Sequence, residues 1–363
     1  MSSLHELLER AVLLDASDVH LTPDRPPVFR VHGGLEDSGM PPTPAGELMA
    51  VLQEIIPAHQ RKRFDSEHEA DFSLIEPGVG RFRVNLFLAG GLPNIALRHV
   101  KELVPSFEDL HLPPILRKIA QAQRGIVLAC GASGCGKSTT LAAMIDHLNH
   151  TERLRIVTIE DPVEYLFQDY LSVISQREVG LDTASYHSAL THLMRQDPDV
   201  IMIGEIRDSE SIRAALRAAE TGHLVFSTLH CGTAAQAPQR ILDMFDSAER
   251  EPMRLALADN LHAAFCQRLI PSSDGGVRPA VEILVNTPIV RNLMIKNVLE
   301  KLPAAIETGG EDGMQTFNQA IYHLIRRGEI SETEGMRHAD NPETLRMNLR
   351  GIFLDEARRI LSV

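Results

Sequence analysis

Gly131-Ala132-Ser133-Gly134-Cys135-Gly136-Lys137-Ser138 fits G-x-x-x-x-G-K-[ST] and lies between an apolar run, residues 125–130 (GIVLAC), and a segment of helical periodicity, residues 138–148 (STTLAAMIDHL). The run reads as a buried parallel strand, and Leu141, Met144, Ile145 and Leu148 share one face of the helix that follows. Strand, glycine turn and helix in that order make a cradle for a polyphosphate. The glycines let backbone N–H groups turn inward, and the helix aims its positive end at the same anion. Ser133, Gly134, Cys135, Gly136, Lys137, Ser138 and Thr139 are therefore the expected nucleotide-binding residues, with Lys137 on the β/γ-phosphates and the Ser138 hydroxyl on Mg²⁺. All four fixed positions and both flanking elements are present, which separates the pattern from a glycine turn made for packing alone.

Three clusters downstream bear on what the nucleotide is for. In residues 156–165 (IVTIEDPVEY) a β-branched strand stops at Pro162 and leaves Glu160, Asp161 and Glu164 at its carboxyl end, the end of an open parallel sheet where ligands bind. The alternative is solvated acids in a turn. In residues 197–208 (DPDVIMIGEIRD) a second apolar strand ends in Glu205, a Walker B layout. Placed one strand from the phosphate loop, Glu205 is expected to hold the metal and its waters, a metal pair with Ser138. Residues 221–230 (TGHLVFSTLH) form a short strand bracketed by His223 and His230. Positions seven apart on a strand point to opposite faces or opposite ends, so the pair is no two-histidine metal site. One histidine is expected to sense the γ-phosphate, and His223 is read in that role, with His230 as a communicator. The alternative for a strand-end histidine is a satisfied structural residue.

Together these stretches resemble the PilT-like retraction ATPases of type IV pili, within the secretion NTPases. The resemblance spans nearly the whole chain, including SQREVGLDTASYHSAL, AAETGHLVFSTLHCGTAAQ, PAVEILVNTPIVRNL and GMQTFNQAIYHLIRRGEIS. It implies a cytoplasmic homo-hexameric ATPase using ATP and Mg²⁺, docked on an inner-membrane platform protein and possessing paralogous retraction and extension ATPases as further candidate partners. Residues 289–296 (IVRNLMIK) match the family's retraction element at Arg291-Asn292-Leu293 and depart from it at Val290 and after Leu293. That departure keeps an accessory, PilU-like regulatory subunit as the second reading. The resemblance further implies that Arg81, Arg83 and Arg98 act as charge-stabilising fingers across a domain or subunit boundary, where such an arginine contributes about 10³–10⁵ in rate. Their alternative is a solvated strand face. By the same resemblance Arg278 borders the nucleotide pocket. The mechanism expected has Glu164 orienting or deprotonating the attacking water, with Glu160 and Asp161 in support.

Composition restricts the alternatives. Net charge is −13, from 36 Lys plus Arg against 49 Asp plus Glu, which disfavours nucleic acid as a track, and the absence of Trp leaves few stacking surfaces. The four cysteines contain no C-x-x-C pair, so neither a disulfide framework nor the tetracysteine zinc module of the extension ATPases is expected. No apolar run reaches the roughly 18–20 residues of a membrane span, and the first residues lack the basic start of a signal peptide, so membrane association is expected only through partners.

The expected architecture is α/β: a RecA-like doubly wound parallel sheet, an N-terminal PAS-like α+β domain and a helical C-terminal tail. Residues 1–100 form the first domain, with strands at residues 18–21, 28–32 and 80–88 and a helix ending near Phe64. Residues 17–33 resemble the opening of the family's PAS-like domain. Residues 101–115, rich in Pro and acids, form the hinge, and residues 116–363 the ATPase domain, whose helical region begins near residue 288. There a Thr316/Gln319 capping box opens a helix that Gly328 ends.

Overall fold

The computed structural model describes residues 4–31, 34–100 and 103–352. His32 and Gly33 of the second expected strand, Lys101 and Glu102 of the expected hinge, and residues 353–363 of the expected tail lie outside these. The chain divides into two compact units: Met1–Leu103 with Asp161–Leu166 and Glu178–Ala184, and Val104–Glu160 with Phe167–Arg177 and Ser185–Val363.

The first unit is built on six antiparallel strands, β1 (Ala16–Leu21), β2 (Val28–Val31), β3 (Gly34–Asp37), β4 (Glu69–Glu76), β5 (Gly80–Ala89) and β6 (Leu92–Val100), in the order β3-β2-β1-β6-β5-β4. Alternation sets their faces: Phe82, Val84 and Leu86 of β5 are buried while Arg81, Arg83 and Asn85 point the other way. Helix Leu4–Leu13 adds Leu7, Leu8 and Ala11 to the core beneath. Where one helix ending near Phe64 was expected, two form, Ala45–Ile55 and Ala58–Glu67. Pro57 has no N–H to continue the first and holds Ile56 extended at ψ 121°, so the chain restarts after it.

The second unit carries a seven-stranded sheet: β7 (Gly125–Cys130), β8 (Arg155–Glu160), β9 (Val173–Glu178), β10 (Val200–Ile203), β11 (Leu224–Leu229), β12 (Leu261–Pro271) and β13 (Val277–Val285), in the order β13-β12-β7-β11-β10-β8-β9. β8, β10, β11, β7 and β12 run parallel, and β13 returns antiparallel to β12. Every residue of β7, β10 and β11 is buried, the mark of parallel strands covered on both faces. Val127, Phe226, Phe265, Leu141 and Met144 meet in the core that fixes helix Lys137–Thr151 on the sheet.

Beyond β13 the chain forms helices Pro288–Ile295, Leu302–Thr308, Phe317–Arg326, Glu332–His338 and Pro342–Leu349. Thr316 and Gln319 close a reciprocal capping box, and Gly328 takes φ +73° after the helix. Arg268 of β12 ties this region to the sheet, lying 3.8 Å above the Phe317 ring and 2.7 Å from Asp340. Among the described residues no helix is long and apolar enough to cross a membrane.

Phe265 is fully buried between sheet and helices. Phe265→Ala is expected to cost about 3–5 kcal/mol, read as a fall of roughly 10 °C in the thermal unfolding midpoint. A shift of under about 2 °C would show that the site collapses without a cavity.

Candidate nucleotide site

β7 delivers the phosphate loop to the carboxyl edge of the sheet. Gly131, Gly134 and Gly136 take φ +135°, +77° and +90°, a region that side chains with a Cβ disfavour. A Cβ on Gly131 would meet Cys135 Sγ at 2.5 Å, and one on Gly136 would meet Gln267 Nε2 at 2.7 Å. Gly136 also opens helix Lys137–Thr151, whose first turn no side chain caps, so the positive helix end is offered to an anion at the loop. Lys137 is buried, and its Nζ donates to Gly131 O at 3.0 Å and Ala132 O at 2.9 Å. Ser138 and Thr139 lie half-buried beside it, and Ser133 and Gly134 are exposed at the loop tip.

One residue of this wall was missed by sequence reading. Gln267, buried in β12, accepts a 2.9 Å hydrogen bond from Thr140 Oγ1 and lies against Gly136, bracing the start of the helix. Its signal was present: a lone amide in the apolar run LHAAFCQRLIP.

Glu205 follows β10, and the strand order inserts β11 between β10 and β7, because the chain crosses over before returning to the middle of the sheet. That insertion brings His230, just past β11, within 3.2 Å of Glu205 Oε1 through its Nε2. Arg207 Nε holds Oε2 at 2.8 Å, so both carboxylate oxygens are engaged. The turn carrying Glu205 is bonded to β11, Thr228 Oγ1 donating to Gly204 O at 2.7 Å and Ile206 N to Thr228 O at 3.0 Å. Gly204 is required there, since a Cβ would meet Tyr186 Oη at 2.7 Å and Ile159 O at 3.2 Å.

His223 stands away from the phosphate loop of its own chain. It lies at the amino end of β11, where its backbone carbonyl accepts from Gly125 N at the start of β7. Six residues of strand, roughly 20 Å, separate that edge from the phosphate loop of the same chain. Its Nδ1 is 2.9 Å from Ala218 O and 3.1 Å from Thr221 Oγ1, so it is a satisfied group closing the end of helix Ser209–Glu220. His230 occupies the phosphate edge instead.

Glu160 ends β8 as a buried group, its Oε1 accepting from Thr158 Oγ1 at 2.6 Å and Gln176 Nε2 at 3.2 Å. Asp161 and Glu164 are exposed and fall, with Asp161–Leu166, in the first unit, where Val163 N donates to Glu178 Oε2 at 3.1 Å. The arginines of that unit each face a carboxylate: Arg81 pairs with Glu178 and is nearly buried, Arg98 holds Asp18 at 2.8 Å, and Arg83 stands 3.9 Å from Asp71. Arg278 lies inside β13, whose pairing with β12 extends the hairpin to Pro271↔Val277. Its guanidinium is taken up by Asp274 at 2.6 Å and Glu329 at 3.3 Å.

Among the described residues no three His, Cys, Asp or Glu side chains converge on a cation site. Mg²⁺ carried by a nucleotide needs only one or two protein oxygens, and the Ser138 hydroxyl with the Glu205 carboxylate fits that chemistry. At the opposite edge of the sheet, Arg124, Asp259, His262, Asn286 and Arg291 line a polar cavity of about 570 Å³, with Arg291 Nε 2.9 Å from Asp259. The matched element at residues 289–296 thus falls on helix Pro288–Ile295, far from the loop edge of its own sheet.

A mainly parallel sheet with this loop at the end of an inner strand, and a carboxylate–histidine pair at the ends of the next two, defines a RecA-like phosphate-loop NTPase. Residues 2–279 match the family described as type II/IV secretion system protein, and the chain belongs to that family, in the branch that holds PilT and PilU. It is 40% identical over 338 residues to the type IV pilus retraction ATPase PilT of Pseudomonas aeruginosa, covering 93% of this chain and 98% of that protein. It is 39% identical over 346 residues to the type IV pilus ATPase PilU of the same organism, covering 95% and 91%. The crystal structure of the pilus retraction motor PilT with bound ADP is similar at a TM-score of 0.88 and 38% identity, covering 94% of this chain and 98% of that one.

Close to the site, burial pushes the Glu282 carboxyl of β13 up to about 7 from 4.5, although Ala234 N donates to it at 2.5 Å. The folded protein therefore keeps a proton between about pH 4.5 and 7 that the unfolded chain has lost. This contribution to stability is full below pH 4.5 and is lost as pH rises through about 7. Glu282→Gln is expected to flatten that part of a thermal-stability profile against pH, and an unchanged slope would place the titration on another group.

Proposed function

We propose that this protein is a Mg²⁺-dependent ATPase working as a homo-hexameric motor of type IV pilus retraction, the process that depolymerises pilin and drives twitching motility. The observation that carries the reading is the Glu205–His230 pair at the phosphate-loop edge, in a chain similar along almost its whole length to PilT. In this reading the first unit is a PAS-like domain, residues 101–115 are its hinge, and the helices after residue 288 are the C-terminal tail. The motor acts in the cytoplasm, against a platform protein of the inner membrane.

Lys137 is held by two loop carbonyls, weak neutral acceptors that its ammonium exchanges for β/γ-phosphate oxygens when ATP enters. Ser138 and Glu205 would hold Mg²⁺, which when bound supplies charge neutralisation at the β- and γ-oxygens. His230 orients the Glu205 carboxylate through Oε1 while Arg207 holds Oε2, so the acid is aimed before the nucleotide arrives. Glu164 orients or deprotonates the attacking water, Asp161 supports it, and Glu160 anchors the strand from which both emerge. Arg83 and Arg98 are the arginines offered in trans to a neighbouring subunit's phosphates, with Arg81 as their anchor. Differential nucleotide affinity between open and closed states supplies the energy bias for work.

A second reading is favoured by one observation: identity to PilU is 39% over 95% of the chain, next to 40% over 93% for PilT. In it the protein is an accessory nucleotide-binding subunit that needs a partner motor.

Steady-state hydrolysis by the purified protein, with its oligomeric mass in the same buffer, separates the two. A motor is expected to be a hexamer with robust Mg²⁺-dependent turnover; a species that binds ATP and barely hydrolyses it identifies the accessory subunit. For the motor, Glu205→Gln is expected to lower kcat by about 10²–10⁴ while leaving ATP affinity within about threefold, a difference under ~1 kcal/mol. Equal loss of binding would show that Glu205 holds the nucleotide rather than organising its hydrolysis.

A further inference from the structure

All four cysteines of the chain gather at the root of the phosphate loop, though sequence spacing gave no sign of a cluster. Cys130 is the last residue of β7 and Cys266 is its register partner on β12. On the other side Cys130 pairs in register with Leu229 of β11, and Cys231 follows two residues later, directly after His230. Cys135, inside the loop, has its Sγ 4.0 Å from Cys130 O, and Cys266 Sγ is 3.6 Å from Cys231 O. None forms a disulfide; three are buried and Cys231 is half-exposed.

Register sets Cys231 diagonally across from Cys130, two residues beyond its partner Leu229, and the two thiols act on each other. That interaction makes the two thiols unequal. Cys231 is lowered chiefly by Cys130, with Arg240 acting in the same direction against burial and Glu282. Cys130 is raised, first by Cys231 and then by complete burial. The half-exposed sulfur is thus the one that favours the thiolate, and the buried one keeps its proton. As a thiol, Cys231 Sγ has Thr233 O at 3.3 Å as acceptor.

We propose that Cys231 is a peroxide-reactive thiol and Cys130 its resolving partner, forming an intrachain disulfide that ties the root of the phosphate loop to the segment carrying His230. In the first step the Cys231 thiolate attacks one oxygen of a hydroperoxide. The S–O bond forms as O–O breaks, the sulfur is oxidised by two electrons to the sulfenic acid, and the leaving hydroxide or alkoxide takes up a proton to become water or the alcohol. In the second, Cys130 Sγ attacks Cys231 Sγ, the S–S bond forms as S–O breaks, and the Cys130 proton leaves with the hydroxyl as water. The net change is two thiols and one hydroperoxide to one disulfide, water and the reduced peroxide.

The disulfide holds Gly131, next in the chain after Cys130, to the residue after His230. A covalent tie draws the loop root and the His230 segment away from the positions that the two free thiols allow, so turnover falls on oxidation and returns on reduction by a dithiol. This activity arm rests on the ATPase reading; the covalent arm does not.

The experiment treats the full-length protein with hydrogen peroxide, quenches it with an alkylating agent and maps cysteine peptides without reduction. The expected product is an intrachain Cys130–Cys231 disulfide; with Cys130→Ser, a dimedone adduct is expected on Cys231, and with Cys231→Ser neither product. ATP turnover is expected to fall at least fivefold in oxidised wild type, recover with dithiothreitol and resist peroxide in Cys231→Ser. A disulfide mapped to another pair, first oxidation at Cys135, or equal peroxide sensitivity of Cys231→Ser overturns the proposal. A Cys130–Cys231 disulfide in a protein that hydrolyses no ATP in either redox state upholds the thiol site and removes the ATPase reading instead.

Discussion

The parallel pairing of β7 with β11 on one side and β12 on the other is the constraint on which the rest of the second unit depends. Its registers, Gly125↔Leu224 through Cys130↔Leu229 and Leu261↔Ile126 through Cys266↔Cys130, bury all six β7 residues. A parallel strand covered on both faces has no place for polar chemistry along its length, so that chemistry is driven to the ends. The carboxyl edge receives the phosphate loop, Glu205 and His230. The amino edge receives His223 and the polar cavity with Arg124 and Arg291. One packing rule thereby separates a nucleotide edge from a second polar edge within the same sheet.

Buried polar groups near the carboxyl edge make it stiff rather than merely close-packed. Ser227 Oγ donates to Ile203 O at 2.6 Å, Thr228 Oγ1 to Gly204 O, and Thr140 Oγ1 to Gln267 Oε1. Each hydroxyl belongs to a buried residue, where an unmet donor would cost about 1–3 kcal/mol. Because every one is met by a neighbouring strand or helix, the turns carrying Gly136 and Glu205 are held in one position relative to each other. A nucleotide site of this type works by presenting fixed charge and dipoles, so the stiffness is itself functional.

The phosphate loop, the acid-terminated strands and the Thr316/Gln319 cap were legible in the sequence because each is a local pattern whose physics acts within a few residues. The spatial order of the strands was not. Nothing in DPDVIMIGEIRD says that β11, later in the chain, will be inserted between it and β7, while the parallel direction of β11 puts His230 at the loop edge and His223 at the other. The grouping of Asp161–Leu166 with the first unit was hidden for the same reason: it is decided by Val163 N and Glu178, fifteen residues apart. Gln267 was readable as an anomaly, a lone amide in an apolar strand, without its partner being readable at all.

The arginines of the first unit show how far a sequence role can outrun a side chain's actual position. Arg81 is 11% exposed and paired with Glu178, itself 4% exposed, and Ser73 Oγ donates to the same carboxylate at 2.5 Å. Drawing Arg81 out would leave a buried charge unpaired, a loss of several kcal/mol for such pairs. Arg83 faces Asp71 at 3.9 Å with both side chains about half exposed, a geometry whose worth is near zero to 1 kcal/mol in water. Arg98 is exposed at its own end yet bonded to the buried Asp18. An arginine that must exchange an internal carboxylate for a phosphate can do so only where the first pair is weak. By that ordering Arg83 is the most weakly held of the three, and Arg81 is the pin that fixes β5.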